Sequence, residues 1–245
     1  MAPPRCAGCG AFSRLPFCEA CQAELKYVDG PQCPRCGKPH PPTAPGWPLC
    51  GDCRDHPRAA LTGARSVGLH TGPLRRAVIE YKFEGRRRLC EPLGEMLVRR
   101  FVNEYARPHR LPFEEVAAIV PVPLHPARRR WRGFDQADLL AQEVARGCEK
   151  PLWEDVLERV KNTHPLVDMG PRERAEEMHE AFAARKPWKL SGASLLLVDD
   201  VYTTGATMMA AARALRQGGA KCVYGLTISR ALPEWYILPP GDAER

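Results

Sequence analysis

The residues with most chemistry to offer lie in one run, Ser194-Leu195-Leu196-Leu197-Val198-Asp199-Asp200-Val201-Tyr202-Thr203-Thr204-Gly205-Ala206-Thr207. Two adjacent carboxylates precede three threonines and a glycine, an order suited to a sugar phosphate. Backbone N–H groups from Thr203 to Thr207 would point at an anion, aided by the positive end of a following helix. Gly205 admits a left-handed or crowded backbone, and the threonine hydroxyls add donors. Carboxylates repel phosphate, so Asp199 and Asp200 suit vicinal ribose hydroxyls or a magnesium ion bridging to a diphosphate. No lysine follows the glycine, which excludes a G-x-x-x-x-G-K-[ST] loop.

The flanking segments must hold these groups. Ser194 to Val198 reads as a short strand buried on both faces, and Met208 to Arg216 as a helix packed on a sheet. Ligand groups then sit at the carboxyl end of a strand. A carboxylate pair beside a threonine-capped helix also occurs with no ligand in many α/β proteins. This run, however, resembles the phosphoribosyl-pyrophosphate (PRPP) motif of type I phosphoribosyltransferases. The resemblance implies that Asp199 and Asp200 contact the ribose hydroxyls. It also implies that Thr203, Thr204, Gly205, Ala206 and Thr207 hold the 5-phosphate.

A second constellation is metal-binding. Eight of the 11 cysteines form C-x-x-C knuckles at Cys6/Cys9, Cys18/Cys21, Cys33/Cys36 and Cys50/Cys53. Two knuckles complete one tetrahedral site, so sequential pairing gives Cys6, Cys9, Cys18 and Cys21 one zinc and Cys33, Cys36, Cys50 and Cys53 another. Redox disulfides or an iron–sulfur cluster fit two glycine-flanked tetrads less well. Both sites are full, so the zinc role is structural, and a segment with little apolar content depends on metal to fold. His40 and His56 read as loop residues; Cys90, Cys148 and Cys222 read as small core residues.

The chain has 245 residues, enough for one α/β domain plus a small satellite, with 44% hydrophobic content and a net charge of +7. That charge suits anionic partners, diphosphate or nucleic acid, without choosing between them. Many of the 25 prolines fall in the first fifty or so residues and the extreme C-terminus, which implies loops there. No apolar run is long enough to span a bilayer and Met-Ala-Pro-Pro-Arg-Cys lacks a signal-peptide core, so the expectation is a soluble cytoplasmic protein.

In order, Pro57 to Gly63 reads as a linker and Ala64 to His70 as a strand. Leu74 to Phe83 is a helix with Leu74, Ala77, Val78 and Tyr81 on one face. Leu89 to Tyr105 is a second amphipathic helix, and Ala117 to Val122 a buried strand. A basic loop follows, with Arg128, Arg129, Arg130 and Arg132 around Trp131. It suits pyrophosphate or stacked single-stranded nucleic acid, although charge runs are usually solvated faces. Asp135 to Arg146 reads as a helix and Val156 to Lys161 as a short strand. Asn162 to Arg174 reads as a hood over the site, and Lys221 to Ser229 as the strand that closes a βαβ unit. The tail from Pro233 is expected to be loosely ordered.

Together these pieces resemble the ComF (ComFC-like late competence) family. The marks are the cysteine tetrads, Lys82 with Gly85, Pro121-Val122-Pro123-Leu124, Arg132-Gly133-Phe134, Asp199-Asp200-Val201 and Thr203 to Thr207. The resemblance runs from Cys6 to about Arg230. It implies a parallel α/β sheet of the type I phosphoribosyltransferase kind, flanked by helices, over residues 64–232, behind a double zinc ribbon over residues 1–57. It also implies bacterial origin, Mg-PRPP as ligand, and a link to natural transformation, the uptake and processing of single-stranded DNA. Single-stranded DNA, competence proteins and a second copy of the chain are the partners it raises.

Departures from the family pattern are Asp135 for asparagine, Leu166 for glutamine, Glu177 for asparagine and Arg86 for aspartate; Arg159, Thr163, Arg174 and Phe182 fit. They put acceptor-base chemistry in doubt and leave PRPP binding intact. Three readings follow. In an enzyme, Asp199 and Asp200 hold the ribose while Lys82 and Arg128 or Arg130 neutralise departing pyrophosphate, with the acceptor unreadable. In a non-catalytic module, the PRPP site is a sensor and the arginines meet DNA. In a structural protein, the zinc ribbons dock and the phosphate loop stays empty.

Overall fold

The computed structural model describes residues 5–41, 44, 46–57, 60–83, 86–102, 111–162, 170, 173, 177–178 and 180–232. Its centre is a four-stranded sheet of β1 (Gly63–Leu69), β2 (Val116–Pro121), β5 (Ser194–Tyr202) and β6 (Cys222–Arg230) in the order β1-β6-β5-β2. All three pairings are parallel, so the carboxyl ends of all four strands open on one edge. Leu152 bridges Ile119 beyond β2 as a parallel stub. The antiparallel pair β3 (Leu157–Arg159) and β4 (Phe182–Ala184) stands apart from the sheet.

The strands alternate their cores, although the apolar runs themselves do not alternate. Ile119, Leu196, Val198, Leu226 and Ile228 face one hydrophobic cluster, and Ala118, Val120, Leu195, Leu197 and Val223 face the other. Helices α3 (Gly72–Phe83), α4 (Cys90–Val102) and α6 (Gln136–Cys148) cover the first face. The long helix α8 (Ala206–Gln217) covers the second. Leu195 to Val198 are fully buried, each contributing about 1.5–3 kcal/mol of transfer free energy. Expected and observed elements agree within a few residues for these strands and helices; the distal end of the second expected helix, 103–105, lies outside the described residues.

Two elements differ from expectation. The strand β5 does not stop at Val198: Asp199 pairs with Thr227, Val201 with Ser229 and Tyr202 with Arg230, so the carboxylates sit inside its last turn of pleat. The basic stretch is not a loop but α5 (Pro126–Arg132). It has no apolar periodicity to betray it; Pro126 sits at its first turn, the His125 ring accepts from Ala127 N–H, and Gly133 ends it at φ 78°. The short helices α1 (Glu19–Ala23), α2 (Gly51–Asp55) and α7 (Pro187–Leu190) complete the described set.

The N-terminal segment lies along the sheet rather than apart from it. Val28 N–H donates to Val67 O (3.0 Å) and Leu69 N–H donates to Lys26 O (2.8 Å), which covers the open edge of β1. Farther along, Ala64 N–H donates to Arg35 O at 2.6 Å, and buried Arg65 donates to Pro34 O at 3.1 Å. The first cysteine tetrad joins the cluster on one face of the sheet, the second the cluster on the other.

Helices α4 and α6 cross at Gly94. A Cβ there would stand 2.8 Å from Glu143 Cγ, closer than real contacts allow. Gly94→Ala should therefore destabilise the protein by about 1–3 kcal/mol from overpacking, overriding the roughly 1 kcal/mol of helix propensity gained. Urea denaturation of both proteins measures it; a stabilised variant would contradict this packing.

Candidate functional site

The carboxyl edge of the sheet opens into a cavity of about 760 Å³. Asp199, Asp200, Thr203 and Thr207 are among the residues that line it. Asp200 Oδ1 is 2.7 Å from Lys82 Nζ, at the last turn of α3, with both side chains largely buried. Asp200 N–H also donates to Asp199 Oδ1 at 2.8 Å. Burial, first, and the adjacent Asp200 carboxylate push the Asp199 carboxyl up to about 8, against the pull of Lys82. Two carboxylates so close cannot both ionise cheaply.

The loop after β5 turns at Gly205, which has φ 86° and caps α8. Its missing Cβ also matters: an added one would lie 2.6 Å from Tyr202 Cζ, so the loop rests directly on that ring. Ala206 N–H donates to Thr204 Oγ1 at 3.4 Å. The loop thus leads into the first amides of a 12-residue helix, a type of position that suits an anion.

Cations from separate elements also line the cavity: Arg75 and Lys82 from α3, Arg128 and Arg132 from α5, and Arg159 from β3. Arg128 and Arg132 are one helical turn apart on the same face. Arg130 is exposed and lies outside the lining, as does Arg129. Arg159 is buried and its guanidinium stacks 5.5 Å from the Phe182 ring, across the β3–β4 pair. Burial lowers it to about 10, so it stays charged at neutral pH.

His70, Arg75 and Arg159 were given no role in the cavity by the sequence. His70 lies just past β1, its Nδ1 2.8 Å from Ser229 Oγ, and its position at a strand's carboxyl end was the available signal. Burial, with Lys82 and Arg75 nearby, lowers His70 to about 4, so it is neutral at pH 7. Of the hood, Thr163, Leu166 and Arg174 lie outside the described residues, as does Gly85.

Two departures have structural explanations. Asp135 is the N-cap of α6: Oδ1 accepts from Ala137 and Asp138 N–H, while Oδ2 accepts from Leu124 N–H at 2.8 Å. Both carboxylate oxygens are used, tying α6 to the loop after β2. Arg86 donates to Glu80 Oε2 at 2.8 Å, closing back on α3.

The cysteines meet as the spacing requires. In each tetrad the sulfurs lie within 4.8 Å of one another, with Cys9 and Cys18 Sγ 3.7 Å apart and Cys36 and Cys50 Sγ 3.6 Å apart. A tetrahedron with zinc–sulfur bonds of about 2.3 Å has edges of about 3.8 Å. Gly8 and Cys18 N–H both donate to Cys6 Sγ at 3.3 Å, as thiolate ligands require. The residues fit zinc. His40 and His56 instead bond the carbonyls of Pro48 and Asp52. Cys90, Cys148 and Cys222 are at least partly buried among hydrophobic neighbours.

Known proteins agree with this layout. Residues 1–54 match the double zinc ribbon domain and residues 132–229 the phosphoribosyl transferase domain. Competence protein F of Haemophilus influenzae is 29% identical over 228 residues, covering 92% of this chain and 90% of that one. DNA utilization protein YhgH of Salmonella typhi is 32% identical over 228 residues, covering 91% and 93%. Among solved structures, a glutamine PRPP amidotransferase from B. subtilis aligns with 61% of this chain and 30% of its own, at 19% identity and a TM-score of 0.40. Cysteine tetrads, parallel sheet and near full-length identity converge: the chain belongs to the competence protein F family, with a double zinc ribbon ahead of a phosphoribosyl transferase domain.

Proposed function

We propose that the cavity binds PRPP with magnesium and supports phosphoribosyl transfer. The observation that carries this reading is one cavity lined by a carboxylate pair, threonines flanking a glycine-turned helix start, and a cluster of cations. Asp199 and Asp200 accept from the two ribose hydroxyls, and the amides and hydroxyls of 203–207 take the 5-phosphate. Lys82, Arg128, Arg132 and Arg159 stand where the diphosphate would lie. The adjacent carboxylates are a donor set that magnesium accepts, and the ion would screen diphosphate charge. As the C1–O bond breaks, its electrons leave with the diphosphate oxygen. The cations hold that charge while a nucleophile takes the oxocarbenium-like carbon. Relatives named for competence and DNA utilization support a role in handling incoming DNA inside the cell.

A second reading has its own observation. Trp131 is 77% exposed, contributes to the cavity lining, and adjoins exposed Arg129 and Arg130 on α5. An aromatic among cations suits stacked single-stranded DNA. In this reading the PRPP site is a sensor and the protein need not turn over.

Calorimetric titration of Mg-PRPP should show saturable binding by the zinc-loaded protein and none by the Asp199→Ala/Asp200→Ala variant; no binding by the wild type removes the PRPP reading. If the protein also turns over, pyrophosphate release should fall at least 100-fold in Asp200→Asn, in the range seen when one electrostatic stabiliser is removed.

Asp199 also makes a pH prediction. Its folded value lies above the unfolded value of about 3.9. The stability cost of ionising it is absent below pH ~4, grows as pH rises through the folded value, and then levels off. Asp199→Asn should raise the melting temperature of the ligand-free protein, by more at pH 8 than at pH 6. A variant equally or less stable at pH 8 contradicts the strained carboxylate.

For the second reading, binding of a labelled oligonucleotide should weaken steeply with salt, and Trp131→Ala/Arg129→Ala should reduce it. Unchanged binding by that variant excludes this face.

A further inference from the structure

The second cysteine tetrad and the phosphate loop are joined by a continuous line of buried side chains. Arg230, the last residue of β6, is 5% exposed. Its Nη1 donates to Cys36 O at 2.6 Å, and its Nη2 approaches Cys36 Sγ at 3.6 Å. Its guanidinium carbon lies over the Tyr202 ring, 4.3 Å from the centroid. Tyr202 ends β5, is equally buried, and is the surface on which Gly205 rests. Ala231 N–H donates to Tyr202 O at 2.9 Å, which pins the two strand ends together.

The geometry points to Arg230 and Tyr202 as positioning residues that couple the second zinc site to the shape of the phosphate loop. A tetrathiolate zinc centre carries two net negative charges. An arginine that donates to a ligand sulfur and its carbonyl offsets part of that charge and fixes the knuckle. The same guanidinium supports the phenol ring, and the ring sets where Gly205 can turn. Metal loss frees the knuckle, then the arginine, then the ring beneath the loop. Lysine cannot reproduce this arrangement, because it lacks the planar fork that bonds a carbonyl and stacks at once. The inference rests on the reading of 203–207 as the 5-phosphate loop, and deepens it by assigning what holds that loop.

The test uses the full-length zinc-loaded protein and three readouts: zinc release to a chromogenic chelator, amide hydrogen exchange over 202–208 without ligand, and Mg-PRPP affinity. Arg230→Met should lower zinc affinity at the second site by roughly 10–100-fold, in the range for residues supporting a metal ligand. With zinc kept saturating, its loop should still exchange faster and its PRPP affinity fall. Tyr202→Leu should leave zinc release as in the wild type yet produce the same loop and PRPP defects. Arg230→Lys should recover zinc retention in part and loop protection little. Removing zinc from the wild type should speed exchange over 202–208 before global unfolding.

Wild-type zinc release and loop exchange in Arg230→Met overturn the coupling. So does a Tyr202→Leu loop as protected as the wild type. If the wild type fails to bind PRPP, the ligand reading fails, while exchange in the ligand-free protein still decides the coupling. Far-ultraviolet circular dichroism and melting temperature identify a variant that has not folded; Arg230→Lys and zinc removal then decide.

Discussion

The arrangement around the cavity turns on one electrostatic constraint: two consecutive carboxylates near the end of a buried strand, with Lys82 at contact distance from the second. Asp199 and Asp200 are adjacent carboxylates at the edge of the protein interior, and they repel each other. The chain tolerates this because the strand beneath them is fully buried and paired on both sides. Unfavourable charge pairs of this kind cluster at functional sites.

Lys82 can serve Asp200 only if α3 is held against the sheet, and here the N-terminal segment matters. Arg76, on the same helix, donates to Gly8 O within the first cysteine knuckle. The first cysteine segment thus bonds the helix that carries Arg75 and Lys82, while Cys36 of the second tetrad bonds Arg230, whose guanidinium lies over Tyr202 at the end of β5. The two cysteine tetrads pack against opposite faces of one sheet. Residues 26–28 and 34–35 also cover the edge of β1.

Much of this was legible in the sequence because it is local. The C-x-x-C knuckles, the helix of Leu74, Ala77, Val78 and Tyr81, and the Asp199 to Thr207 run each carry their own signal within a dozen residues. The cation cluster was less legible, since Arg75, Arg132 and Arg159 come from three elements and meet only through the topology. The helical state of Pro126–Arg132 was hidden because seven largely charged residues show no apolar period. The two sheet faces were hidden too: Leu195 to Val198 is apolar throughout, and only pairing decides which residue faces which helix layer. The Arg230–Tyr202–Gly205 stack joins residues from two strands and a loop, and no spacing rule announces it.

The most direct measurement is a crystal structure of the zinc-loaded protein with magnesium and PRPP. The account predicts the 5-phosphate within hydrogen-bonding distance of the amides of Thr203 to Thr207, the ribose hydroxyls on Asp199 and Asp200, and the diphosphate toward Lys82, Arg128 and Arg132. A ligand bound in the opposite sense, or elsewhere on the protein, would contradict it.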